Sequence, residues 1–143
     1  MDRRELLTVV GATVALGTAS QAVAQGTGAS SMHPPKYKAL QEATAHCVAT
    51  ANDCMRHCMG MLAMKDTSMS GCMDAAYQVV VACGALQALA AVNSPQVPAI
   101  AKAVGAICTA CKTECDKFPA VAECKACGAA CQTCADECRK ASA

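Results

Sequence analysis

Aromatic side chains are nearly missing from this chain: two Tyr, one Phe and no Trp in 143 residues. Bulky aliphatics are scarce too, with four Leu and two Ile beyond residue 35, so a core built from these alone would be thin. Charged residues make up only 16% and the formal net charge is +1, which gives no reason to expect nucleic acid or an acidic surface as partner. No Ser/His/Asp set, paired carboxylates or Gly-rich phosphate loop is visible, so a binding protein is expected rather than an enzyme. Nothing alternates with the period of two that marks a strand.

Sulfur fills the gap. The chain carries thirteen Cys and eight Met, and free Cys behaves as a small buried hydrophobe. An odd number rules out a complete set of internal disulfides. Secreted disulfide scaffolds scatter Cys through the loops of shorter chains, whereas nearly every Cys here sits in a helix-like pattern. The densest stretch holds Cys124, Cys127, Cys131, Cys134 and Cys138, with gaps of three, four, three and four. That is the rhythm of a helix burying one stripe against partner helices.

Residues 1–25 have the pattern of an export signal. Arg3-Arg4 is a twin-arginine pair, Leu6 to Ala19 is apolar, and Ala22-Val23-Ala24 offers small residues before a cut at Gln25. The run is too short to span ~30 Å of hydrocarbon as a helix, so no membrane insertion is expected after cleavage. Asp2 and Glu5 depart from the usual twin-arginine pattern. That route exports folded chains, so the thiols would be buried or metallated before reaching the periplasm or an equivalent oxidising compartment. Residues 26–35 read as a flexible lead-in.

Residues 36–143 predict four helices. The first runs from about Lys36 to Met64 and carries Cys47, Cys54 and Cys58 on one face. The second, about Met69 to Val92, has Thr67 or Ser68 available as N-cap and carries Cys72 and Cys83, three turns apart. Ser94 as cap and Pro95 as first helical residue would open the third, which ends near Lys117 with Cys108, Cys111 and Cys115. The fourth runs from about Pro119 to Lys140. Helices of this length on short turns force antiparallel neighbours, so the fold expected is an all-α, up-down-up-down four-helix bundle with a Cys-lined core.

Thirteen Cys on four matching faces exceed what packing explains. Helical i,i+4 pairs sit ~5–6 Å apart at Cβ, too far for a good disulfide, although bridges between helices remain open. Metal is the stronger reading, because an ion supplies the missing length between thiolates. Zinc or an iron–sulfur cluster takes four ligands in a closed set. A ladder of thiolates with thioethers nearby selects Cu(I). His57, Met61, Met64 and Met69 are spaced to gather at one end as an entry site of softer grip. Zinc or cadmium buffering in the manner of metallothionein is the alternative. A thiol redox protein is a further one, but it would need a β-α-β context that is not seen.

These residues carry a resemblance. His46-Cys47, Asp53-Cys54 with His57-Cys58, Met61-Leu62-Ala63-Met64, Ala82-Cys83-Gly84-Ala85-Leu86, Cys115-Asp116-Lys117-Phe118-Pro119 and Ala122-Glu123-Cys124-Lys125-Ala126-Cys127-Gly128 resemble the exported copper storage proteins of methane-oxidising bacteria. The resemblance implies a bundle whose lumen thiolates bind many Cu(I) ions and an open end lined by His57, Met61, Met64 and Met69. It also implies assembly as a homotetramer and supply of copper to the membrane methane monooxygenase.

Overall fold

The computed structural model describes residues 32–143. The expected export signal and the lead-in up to residue 31 lie outside the described residues. Four helices follow one another, α1 (Lys38–Ala63), α2 (Ser70–Ala91), α3 (Val97–Cys115) and α4 (Ala122–Ala141), and no strand occurs among the described residues. Each helix packs on the next and α4 closes the ring against α1. The connections are too short for anything but antiparallel neighbours, so the bundle is up-down-up-down, as the Cys faces predict.

The helix ends differ from the sequence expectation, and the differences have causes. None of these four helices has a side-chain N-cap hydrogen bond. Ahead of α2, Asp66 Oδ1 accepts the Ser68 N–H at 2.9 Å, and Met69 takes the cap position. Ahead of α3, Ser94 Oγ accepts the Gln96 N–H at 3.2 Å in a turn, so the helix begins later, at Val97, with Pro98 rather than Pro95 in its first turn. The C-termini are better specified. Asp66 N–H bonds Met61 O and Lys65 N–H bonds Leu62 O; Ser94 N–H bonds Leu89 O and Asn93 N–H bonds Ala90 O. Both are Schellman stops, with Lys65 and Asn93 at positive φ.

Asn93 also fastens the chain before α1. Its Nδ2 donates to Pro34 O at 3.1 Å and its Oδ1 accepts the Lys36 N–H at 2.7 Å.

One end of the bundle is sealed by ordinary apolar packing. The start of α1 gives Leu40 and Ala43, the end of α2 gives Leu86 and Ala90, and the start of α3 gives Val97, Ala101 and Val104, all buried. Thr44, also buried there, donates its hydroxyl to Leu40 O at 2.8 Å and Gln41 O at 2.9 Å, so no polar atom is stranded. Away from this seal the core changes to sulfur. On α4 alone the column from Cys124 to Cys138 runs ~21 Å at 1.5 Å per residue.

Candidate metal centre

All thirteen Cys are buried free thiols. None is more than 2% exposed, so the sulfur ladder expected from helical spacing forms inside the bundle. Its finest connections run differently from the sequence reading, which paired thiols on one helical turn. The close approaches of 3.5–3.9 Å join different helices: Cys47 to Cys131, Cys54 to Cys72 and Cys124, Cys72 to Cys115 and Cys124, Cys83 to Cys108 and Cys134, and Cys111 to Cys127. Spacing along one helix cannot reveal such neighbours, because they depend on how far each helix slides past the next.

The thiols gather into sets whose sulfurs all lie within 4.8 Å of one another. One is a quartet, Cys47, Cys83, Cys108 and Cys134, with one member from each helix. Three are triads: Cys54/Cys58/Cys72, Cys54/Cys115/Cys127 and Cys111/Cys127/Cys131. A metal–sulfur bond of ~2.3 Å separates two thiolates on one ion by ~3.8 Å in a tetrahedron and ~4.0 Å in a trigonal plane. The observed approaches already match these spacings, so an ion needs little rearrangement to enter. Cys124 adjoins the triads through Cys54 and Cys72. Cys138 lies buried one turn beyond Cys134 on α4.

Crowded thiols divide their protons unevenly. Hydrogen bonds from neighbours, Cys108 first and then Cys131, lower Cys47 to about 5. Cys115 and then Cys54 do the same for Cys72, lowered to about 3. Cys127 is lowered chiefly by Cys111, and Cys134 chiefly by Cys108. Their donors move the other way: Cys83 is raised by its bond to Cys108, and Cys131 by its bond to the same residue. At the mouth, burial and then the charge on Cys72 push Cys58 up to about 11 and Cys124 up to about 12. Each thiol set therefore holds at least one sulfur ready to act as a thiolate, the form that binds metal.

His57, Met61, Met64 and Met69 lie at the helix ends opposite the seal and differ in exposure. Met69 is 3% exposed and joins the core, Met61 packs half-buried against it, and Met64 stands out at 69% exposed. His57 Nδ1 lies 3.8 Å from Glu123 Oε2 at the first turn of α4. His46 is exposed, off the Cys face.

A family model described as "Copper storage protein" matches residues 33–143. Among solved structures, the apo form of copper storage protein 3 from Bacillus subtilis superposes with a TM-score of 0.66 at 31% identity, covering 74% of this chain and 98% of that one. The Cu(I)-bound form of that protein gives 0.65 at 30% identity, covering 74% and 97%. The chain belongs to the copper storage protein family. No curated protein sequence matches significantly.

Membership in the copper storage family gives the buried thiols their role: they are the store. Sequence reasoning found every thiol and their common face. It missed the division of the column into a quartet and linked triads, and it missed Glu123 beside His57. Glu123 had one legible signal, an acidic side chain in the first turn of α4 next to the first Cys of the densest stretch.

Proposed function

We propose that this chain is a non-catalytic store that holds many Cu(I) ions per molecule on its core thiolates and admits them past His57, Met61, Met64 and Met69. One observation carries the reading. Cys54 and Cys127 each belong to two triads, so ions in adjacent sets share a bridging thiolate. Soft, bridging sulfur suits Cu(I), and with equal numbers of ions and thiolates the buried charge cancels. Oxygen-free titration of the reduced protein with Cu(I) against a chromogenic chelator tests this. Uptake of at least four ions per chain is expected, one for each thiol set, falling in proportion as Cys124, Cys127, Cys131, Cys134 and Cys138 are replaced by Ser. Saturation at a single ion would sink the reading.

The wider setting belongs to the same proposal. The Arg3-Arg4 segment supports export by the twin-arginine route, and a mature N-terminus at Gln25, read by mass spectrometry of the secreted protein, is the expected sign. An outer stripe on α2 supports assembly as a homotetramer. Tyr77, Val81 and Val92 are 57%, 56% and 73% exposed, and exposed Ala85 and Ala88 lie between them. By length and composition α2 could cross a membrane; here its inner face is Cys72, Val79 and Cys83, which leaves the outer stripe for a second copy. Val81→Glu should release monomers in sedimentation velocity; an unchanged oligomer would place the interface elsewhere. The resemblance to the proteins of methane-oxidising bacteria supports a copper-accepting enzyme such as the membrane methane monooxygenase as recipient. Copper transfer from the loaded protein to that enzyme, followed by its recovered activity, is the test.

A further inference from the structure

The quartet differs from the rest of the column. The triads interlock through Cys54 and Cys127, whereas Cys47, Cys83, Cys108 and Cys134 form a four-sulfur set that meets the triads where Cys47 approaches Cys131 at 3.6 Å. They sit on the side of the column toward the apolar seal, one on each helix, every one 0% exposed. Cys83 lies 3.5 Å from Cys108 and 3.7 Å from Cys134, close to the ~3.8 Å edge of a tetrahedron of sulfurs around a metal at ~2.3 Å.

We propose that the quartet is a tetrahedral site for one divalent, thiophilic ion of the zinc class. On binding, the four thiols release their protons to solvent, and the ion with four thiolates keeps a double negative charge. A second such charge in the same buried column is opposed by the first, which limits the protein to one divalent ion. Because the ligands come from all four helices, this ion ties the whole ring together at mid-height, where the core has thiols in place of large aliphatics. The inference goes beyond Cu(I) storage and does not depend on it.

Cobalt(II) is the probe, since a tetrahedral four-thiolate cobalt centre has intense, diagnostic visible and charge-transfer bands. Reduced, oxygen-free apo protein titrated with Co(II) should give that spectrum with an end point at one ion per chain, bleached by one equivalent of Zn(II). Cys83→Ser and Cys108→Ser, each checked for helicity by circular dichroism, should abolish the four-sulfur spectrum. Cys115→Ser, which alters only a triad, should keep it. An end point other than one, or a spectrum that survives both quartet substitutions, would overturn the site. Cu(I) capacity is measured on the same preparations. Full Cu(I) uptake without the cobalt centre refutes this inference alone; the cobalt centre without Cu(I) uptake refutes the storage reading alone.

Discussion

At Lys65 the chain leaves α1 with φ of +65°, and at Asn93 it leaves α2 with φ of +53°. Asn tolerates the left-handed conformation; Lys does so at a cost of ~1–2 kcal/mol, because its Cβ crowds the neighbouring carbonyl. Among the described residues, no hydrogen bond or ion pair of the Lys65 side chain offsets this. Lys65→Gly should therefore stabilise the apo protein by about 1 kcal/mol in urea unfolding; a loss of stability would mean that the lysine acts through something other than its backbone. The same residues show how much of a terminus can be read in advance. Asn93-Ser94-Pro95 marks a boundary in the sequence, but whether Ser94 caps α3 or only bends the chain depends on the path into α3. That path is set by Asn93 holding Pro34 and Lys36, residues far away in sequence.

The helices owe their spacing to a few small residues. A Cβ on Gly105 would lie 3.2 Å from Cys138 Cβ, and one on Gly128 would lie 3.4 Å from Cys115 Cβ, so α3 and α4 approach closely and bring their thiols within reach of one ion. Gly60 and Gly84 have nothing within 4 Å of such a Cβ. Gly60→Ala and Gly84→Ala should each raise stability by up to ~1 kcal/mol through helix propensity. Gly105→Ala should lose that gain to the push on Cys138 and change the Cu(I) end point. Equal melting shifts in all three variants would show that the α3–α4 approach is slack. Surface pairs contribute less. Arg56 with Asp53 and Lys140 with Glu137, each within one helix, and Lys117 just past α3 with Glu114 inside it are surface pairs worth a few tenths of a kcal/mol each.

For the molecule as a whole, the thiols make stability depend on pH in both directions. Cys47 and Cys72, lowered from 9.0 to about 5 and about 3, contribute stability above the ordinary thiol value that is lost as pH falls through 5 and 3. Cys58 and Cys124, raised from 9.0 to about 11 and about 12, contribute stability below 9 that is lost as pH rises through 11 and 12. The reduced apo protein should therefore melt highest near pH 9 and lower on both sides. A melting temperature that climbs steadily from pH 9 to 11 would contradict the raised thiols. Cu(I) binds the folded column and not a preformed site in the unfolded chain, so loading should raise the melting temperature well beyond the pH effect. An equal melting temperature with and without Cu(I) would place the ions outside the core.

The sequence by itself determined the helices, their order and the sulfur face of each, because a stripe of Cys every three or four residues can be buried only by partners with a matching stripe. It determined the chemistry as well, since soft ligands in such number leave few ions to choose from. Tertiary structure alone decided which thiols meet. Helical periodicity fixes the angle at which a side chain leaves its own axis, but the level at which Cys47 faces Cys131, or Cys83 faces Cys108, depends on the slide and closeness of neighbouring helices. That slide follows from Gly105 and Gly128, from the Schellman stops at Lys65 and Asn93, and from the apolar seal. None of these residues carries a thiol, and together they turn four stripes into one quartet and three linked triads, joined where Cys47 meets Cys131.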